Sequence, residues 1–430
     1  MIRTHIFACA IPKAEADDLN RESGRVYTDT LVRHYRIYRK TGHWLSMYAG
    51  KRVEDGVGGP TTLHAHSRDA VQEGFYKACK TAQALKRAGD HAARHPHKRK
   101  WYRTSVWKKA GIRVRDGVLV LARAKGLPAV RAALPAPVAA LSASVFSEVR
   151  LVWDKAARRY MWHVVVDDGI IPKPTTATGV AGVDLGEIHP AALTDSTSAA
   201  AVSCRSLRST VQYTNKRLSV LRSKQDHLVK GSSRWKRLQR RKNRFLAQQK
   251  RRERDLLHKA SRAVVGWAEQ NGVGRLAIGD VRDVGDGKRL KRTEQQKVSQ
   301  WSHGAMRRYI GYKAEAAGIA VDDTIDESYT TQTCPSCGTR AKPRGRVYAC
   351  RACGFRGVRD VVGAANIFSR YRYGEVGRVT PPVHAKYLRP FVRVAGEKRS
   401  SRLDTSELAR CQGLRAETSL ATVGREAAPL

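Results

Sequence analysis

Apolar and polar positions recur at helical spacing over Tyr27–Thr41 and Ser67–Arg87, both with basic outer faces, and Gly89-Asp90 ends the second run. The spacing then becomes alternating. Ile112–Ala122 alternates around Asp116-Gly117, a hairpin signal, and Val149–Val166 reads as a second hairpin. Together they predict a small β-barrel or sheet following the N-terminal helices, closed off by the Pro-rich link Ile171-Pro172-Lys173-Pro174. Beyond the link, Gly179–Gly186 reads as a buried strand ending in an acid and a turn. Residues 211–270 predict a helical hairpin broken near Gly231-Ser232-Ser233. Buried strands are predicted at Arg275–Asp280 and Gly318–Thr324, with one helix over Glu294–Ala316 between them and another over Arg359–Tyr371. Buried strands alternating with helices predict an α/β sheet. From about residue 380 no periodicity persists, which predicts a disordered or loosely docked tail.

Charge changes this picture most. Across 430 residues, 81 Lys and Arg face 38 Asp and Glu, a net charge of +43, while a hydrophobic fraction of 41% leaves ample material for cores. Such an excess repels itself unless a polyanion neutralises it, and nucleic acid is the usual one because each neutralised phosphate releases condensed counterions. An anionic membrane surface is the rival, but no run of about 18 apolar residues is present to span a bilayer. The apolar stretch in Met1–Ala10 is too short for a signal peptide, so the expected location is the cytoplasm, on the nucleoid through nucleic acid. Trp235–Arg254 is crowded with cations beside an apolar stripe of Trp235, Leu238, Phe245 and Leu246. Trp235, Lys236, Arg237, Arg240, Arg241, Lys242 and Arg244 are the candidate nucleic-acid contacts. His91–Arg103 is also basic and ends in Trp101-Tyr102, a pattern that suits either an RNA or single-strand contact or a plain solvated loop.

Four of the eight cysteines cluster. Cys334-x-x-Cys337 and Cys350-x-x-Cys353 are separated by twelve residues, and Gly338 and Gly354 follow the two knuckles. Each knuckle can place two thiolates on one metal, and the pair completes a tetrahedron, so this is a candidate structural Zn²⁺ site with no position open for water. The remaining Cys9, Cys79, Cys204 and Cys411 are scattered and read as small hydrophobes.

Two acids flank this arrangement at distinctive places. Asp184 ends the strand in Gly182-Val183-Asp184-Leu185-Gly186. Asp360 opens the helix Arg359-Asp360-Val361-Val362-Gly363-Ala364-Ala365-Asn366-Ile367, and the ribbon is preceded by Tyr329-Thr330-Thr331-Gln332-Thr333. In this order the segments resemble the RuvC nuclease of the TnpB family, transposon-encoded relatives of type V CRISPR effectors, over about residues 180–370. Residues 1–178 resemble it more loosely.

The resemblance implies an α/β RNase H-like (RuvC) nuclease domain with an inserted zinc ribbon, preceded by an α-helical plus β-barrel nucleic-acid-binding half. The implied parts are a recognition and wedge-like region at 1–178, nuclease at 179–333 and 354–380, the ribbon at 334–353, and a polar tail at 381–430. It also implies three carboxylates holding two Mg²⁺ ions. Carboxylate oxygen suits Mg²⁺, and paired ions can activate water and stabilise a leaving oxygen. Taken alone, Asp184 would read as a turn-capping acid and Asp360 as a helix cap.

One position departs from the family pattern. The second acid is usually a Glu ending the strand that matches Leu276–Asp280, and Gly279 stands there. Either the nuclease is inactive or the acid comes from elsewhere. Asp280 is adjacent, but a one-residue shift turns a strand side chain to the other face. Glu327, after the Gly318–Thr324 strand, is the favoured replacement and resembles the moved glutamate of some TnpB and Fanzor proteins. The expectation is an RNA-guided DNA endonuclease of a transposable element, with Asp184, Glu327 and Asp360 as catalytic Mg²⁺ ligands. Its partners would be a guide RNA and a target DNA bearing a short flanking motif, with no membrane. The alternative is a nuclease-inactive, RNA-guided DNA-binding repressor. A DNA-moving transposase is the weaker third reading.

Overall fold

The computed structural model describes residues 2–57, 59–167, 169, 171–172, 174–282, 291–343 and 345–390. The chain forms two compact units, Met1–Ile171 and Pro172–Leu430.

In the first unit, strand β1 (Ile2–Ala8) leads into helices α1 (Lys13–Thr41), α2 (Met47–Val57) and α3 (Ala65–Arg87). Strands β2 (Ser105–Lys108), β3 (Ile112–Arg115), β4 (Val118–Leu121) and β5 (Val130–Ala133) follow, then a single turn α4 (Ala136–Ala139), β6 (Phe146–Asp154) and β7 (Arg159–Asp167). Both expected hairpins form. Asp116 and Gly117 take positive φ at the β3–β4 turn, and β6 pairs with β7 from Phe146 to Asp154. The strands make two sheets, β1-β7-β6-β2 and β3-β4-β5. Their inner residues Trp107, Leu119, Leu121, Val149, Leu151, Trp162 and Val164 share one buried core. Strand β1, which the sequence reading did not predict, adds an edge to β7 and leaves Ile2 and Ile6 exposed.

The second unit carries β8 (Gly179–Asp184), β9 (Ala191–Thr194), β10 (Ala199–Val202), α5 (Arg205–Asp226), α6 (Ser233–Gln270) and β11 (Val273–Asp280). It continues with α7 (Arg292–Gln300), α8 (His303–Ala316), β12 (Ala320–Asp326), β13 (Val347–Ala349), β14 (Arg356–Val358), α9 (Arg359–Tyr373) and β15 (Lys386–Leu388). One mixed sheet runs β12-β11-β8-β9-β10-β15. Strands β8, β9 and β10 pair antiparallel, while β11 joins β8, β12 joins β11 and β15 joins β10 in parallel.

Alternation along the strands assigns the faces. Ala181, Val183, Leu276 and Ile278 pack into a core with Leu257, Val264 and Trp267 of α6 and with Met306 and Ile310 of α8. Ala192 and Ala199 pack instead against Val361 and Ala364 of α9. Gly182 lies directly beneath α9, where a Cβ would meet the backbone of Ala364. Gly182, Asp184, Ala277 and Gly279 therefore belong to the α9 face, and Asp280 to the α8 face.

Three expectations need correction. The single helix over Glu294–Ala316 is two, α7 and α8, because Trp301 turns extended (ψ 118°) and its indole N–H donates to Gly186 O at 3.2 Å. The expected tail at 381–430 begins with structure: β15 pairs with Ala200–Val202, and Leu388 is buried in the sheet core. A three-residue strand is too short for a periodicity to betray it. Residues 391–430, including Cys411, lie outside the described residues. Lastly, residues 174–178 belong with the second unit, since Thr175 N–H donates to Gly318 O at 3.0 Å.

Candidate active site and cysteine cluster

Asp184 is the last residue of β8 and turns toward α9, where Gly363 leaves room for it. A Cβ at 363 would stand 2.5 Å from Asp184 Oδ2. Burial, then the neighbouring Glu327 and Asp360 carboxylates, push the Asp184 carboxyl well above its usual range, and Arg359 opposes them. Glu327 follows β12 directly. Its Oε1 is buried with no hydrogen-bond partner among the described residues. Burial first, then Asp280 and Asp326, raise Glu327 to about 7. The Glu327 side chain lies over Gly279, because a Cβ there would sit 2.5 Å from its Cγ and Cδ and closer still to Oε1. The missing side chain on β11 and the carboxylate arriving from β12 thus occupy one place.

Asp360 opens α9. Burial raises its pKa, but the hydrogen bond with His189 (Nδ1 to Oδ2, 2.7 Å), Arg359 (3.4 Å) and Arg346 (3.9 Å) outweigh it and hold the carboxyl below its usual range. Asp280 is turned away from these acids. It pairs with Arg282 and, at 3.5 Å, with Arg307 of α8, which hold it down to about 2. The one-residue shift along β11 sends it to the opposite face, as the strand period requires. Asp323 also binds Arg307, at 3.0 Å, and Asp326 binds Arg370 of α9 at 2.7 Å.

The sequence reading missed two residues that shape this site. His189 sits five residues past Asp184, its carbonyl accepting from Gly186 N–H at 3.1 Å, and it holds one face of Asp360. Only its place in the loop after the first acid could have signalled it. Asn366 is fully buried. Its amide donates to Thr330 O and Thr333 O at 2.7 and 2.8 Å, and its carbonyl accepts from Gly377 N–H at 2.8 Å. It locks the turn after Glu327, in which Tyr329 holds a left-handed φ of 64°, onto the same helix that carries Asp360. Such a conformation costs a non-glycine residue about 1–2 kcal/mol, and these bonds offset it.

The four cysteines converge. All their Sγ atoms lie within 4.8 Å of one another, and they are the only such ligand group among the described residues. Cys334–Cys353 and Cys337–Cys350 are 3.6 Å apart, near the edge of about 3.8 Å that a tetrahedron with Zn–S of about 2.3 Å requires. A disulfide would bring sulfurs to about 2.05 Å. Gly338 and Gly354 take φ of 71° and 76°, and their N–H groups donate back to Cys334 O and Cys350 O, so the two knuckles are alike. The Thr339 hydroxyl, 3.3 Å from Cys337 Sγ, holds that thiol down to about 6, toward the ligating thiolate. Tyr348, Phe355 and Val362 of α9 pack behind the cysteines and tie the cluster to the Asp360 helix. The three carboxylates, by contrast, do not gather within 4.8 Å as a set. Asp184 is the one that feels both of the others.

On α6, Lys236, Arg237, Arg240, Arg241 and Arg244 are exposed, and no carboxylate pairs with them among the described residues. Trp235 is half-buried on the apolar stripe. Lys242 turns inward, donating to Gln225 Oε1 of α5 at 2.8 Å, and so does not share their outer face.

Two family descriptions match this chain: "Probable transposase" (OrfB_IS605) over residues 163–285, and "Cas12f1-like, TNB domain" over 303–367. The first stretch contains Asp184 and Gly279, and the second contains Glu327, the cysteines and Asp360. TnpB-like protein MJ0751 of Methanocaldococcus jannaschii is 27% identical over 140 residues, 32% of this chain and 49% of that protein. The chain belongs to the TnpB family.

The CRISPR-associated endodeoxyribonuclease Cas12f1 of Sulfoacidibacillus thermotolerans is 33% identical over 114 residues, 26% of this chain and 25% of that protein. The matched stretches thus span half or less of these relatives. Among solved structures, a Cas12f1–sgRNA–target DNA complex aligns with a TM-score of 0.54 at 14% identity, covering 83% of each chain. The mini-RNA-guided endonuclease CRISPR-Cas_phi3 aligns at 0.52 and 11%, covering 89% of this chain and 94% of that one. At such identities the likeness is one of fold. Among the described residues no helix is long and apolar enough to cross a membrane.

Proposed function

We propose that this TnpB-family protein is an RNA-guided DNA endonuclease with an RNase H-like (RuvC) site. One observation carries the reading: Glu327 occupies the place that Gly279 leaves empty and shares an electrostatic environment with Asp184, which also senses Asp360. The β8-β9-β10 meander continued by parallel β11 and β12 supports the RNase H-like fold.

The residues fit divalent cations. Burial with the neighbouring Glu327 and Asp360 raises the Asp184 carboxyl, Glu327 keeps a buried oxygen without a partner among the described residues, and hard oxygen donors suit Mg²⁺. Asp184, Glu327 and Asp360 would hold the ions. Bound Mg²⁺ would supply an activated water and stabilise the leaving oxygen of the phosphodiester. This chain's part is to fix the three carboxylates on two strand ends and a helix start, with His189 and Arg359 setting how Asp360 is turned. The spread of the acids beyond a single-ion cluster would suit more than one ion. Cys334, Cys337, Cys350 and Cys353 would hold a structural Zn²⁺ that braces the segment between Glu327 and Asp360. The exposed α6 cations would bind phosphates of guide RNA or its heteroduplex with target DNA.

The test uses protein purified with its co-purifying RNA, Mg²⁺ and plasmids carrying the matching target beside randomised flanks. Wild type is expected to cut, and Asp184→Ala to bind RNA but not cut. Normal cutting by Asp184→Ala would sink the assignment. Absence of cutting by wild type on every flank would favour the nuclease-inactive repressor.

A further inference from the structure

The segment His91–Arg103 has no part in the carboxylate site, yet it is held with unusual care. It crosses α1 as an extended strap. Tyr35 Oη donates to Pro96 O at 2.9 Å. Thr28 Oγ1 bonds both Lys100 O (3.1 Å) and Lys100 N–H (3.0 Å). Arg103 N–H donates to Asn20 O at 2.8 Å. Gly24 makes the approach possible, since a Cβ there would stand 2.6 Å from the Trp101 carbonyl. Positions 35, 28, 24 and 20 lie on one side of the helix and meet 96, 100, 101 and 103 in reverse order. From residue 35 to 20 a helix rises about 22 Å, and the seven residues from 96 to 103 reach about 23–25 Å when fully extended. The strap therefore follows a nearly extended course along α1 and is tied to it at four places.

With the backbone fixed on the inside, the side chains point out. All of His97–Tyr102 are exposed, Trp101 at 82% and Tyr102 at 52%. Lys98, Arg99 and Lys100 precede the two rings, and no acid lies between His91 and Ser105. Arg21 of α1 lies over the Tyr102 ring, 5.8 Å from its centre. A lone exposed aromatic needs no explanation. Two adjacent ones on a fixed, wholly cationic strap form a platform, with rings for base faces and cations spaced for the backbone of one strand. Unpaired bases are the ligand, because stacked pairs inside a duplex hide their faces. An RNA with loops and ends offers such bases splayed out.

We infer that the His97–Tyr102 strap is a binding site for an unpaired stretch of RNA, with Trp101 and Tyr102 stacking bases and Lys98, Arg99 and Lys100 holding phosphates. The choice of RNA rests on the RNA-guided reading above. The strap lies in the first unit, and none of the three carboxylates takes part.

The test uses full-length protein stripped of nucleic acid and a fluorescein-labelled, mixed-sequence single-stranded RNA of ten nucleotides, with affinity measured across a salt series. Trp101→Ala should weaken binding about tenfold or more with no change in the slope of log affinity against log salt, and Trp101→Phe should recover most of the loss. Lys98→Ala with Arg99→Ala should instead flatten the slope, by about 0.7 for each charge removed. A 4-thiouridine version of the probe should crosslink to the peptide containing Trp101 and Tyr102. Unchanged affinity in Trp101→Ala, crosslinks confined to other peptides, or tighter binding of the matching single-stranded DNA or of duplex RNA would each overturn the inference. The two readings fail separately. Wild type that binds the probe through Trp101 but never cuts DNA refutes only the nuclease, and wild type that cuts while Trp101→Ala binds normally refutes only the strap.

Discussion

Gly279→Ala adds one methyl group to the candidate site and isolates the role of the relocated acid. The new Cβ would stand 2.5 Å from Glu327 Cγ and Cδ and closer still to Oε1, against ordinary contacts of 3.4–4 Å, so the Glu327 side chain must retreat by at least about 1 Å. Glu327 follows the strand end, and the clash falls on its side chain rather than on backbone. The retreat therefore costs little, and the substitution should change stability by less than about 1 kcal/mol. Activity is another matter, since a displacement of about 1 Å in a positioned catalytic group can cost about 100-fold. The assay is the rate of Mg²⁺-dependent plasmid cleavage with RNA bound, run beside a thermal melt. The expected result is a rate down about 100-fold, a raised Mg²⁺ midpoint and an unchanged melt. Glu327→Ala should be inactive, and Glu327→Ala combined with Gly279→Glu, which returns a carboxylate to β11, should regain part of the rate. Cleavage by Gly279→Ala at the wild-type rate and Mg²⁺ midpoint would refute the placement of Glu327 among the metal ligands.

Other consequences can be measured directly. Because burial and nearby acids raise Glu327 from 4.5 to about 7, its contribution to stability is fully present below about pH 4.5 and is lost as pH rises through about 7. Metal-free protein should therefore be less stable at pH 8 than at pH 6 by on the order of 1 kcal/mol, a melt lower by about a degree or two, and Mg²⁺ should restore more at pH 8; a flat profile in melts with and without Mg²⁺ would refute this. His189→Ala removes the 2.7 Å partner of Asp360 and should weaken Mg²⁺ binding about 10–100-fold, read as the Mg²⁺ midpoint of cleavage. Cys334→Ser should lose bound zinc, measured by elemental analysis, and destabilise the protein by above about 4 kcal/mol, with cleavage falling in step; retention of one zinc per chain would contradict the cluster.

The pattern of this sequence determined its elements and much of its chemistry. Alternating runs placed both hairpins, short buried runs placed β8 and β11, and helical spacing placed α3 and the second half of α1, because such runs bury a face and cannot do so at another period. The two Cys-x-x-Cys knuckles were legible because both ligand pairs are local, and the TnpB resemblance rested on short contiguous motifs around Asp184, the cysteines and Asp360. Side-chain alternation alone was enough to doubt Asp280. Tertiary structure decided the rest. That Glu327 fills the space over Gly279 depends on β12 lying parallel beside β11, a pairing across about fifty residues that no local pattern encodes. His189 and Asp360 are 171 residues apart, Asn366 joins a turn to a helix, and β15 completes a sheet edge with three residues. Each is a contact between segments whose own sequence is satisfied by several neighbours, and only the packed sheet and helix select one.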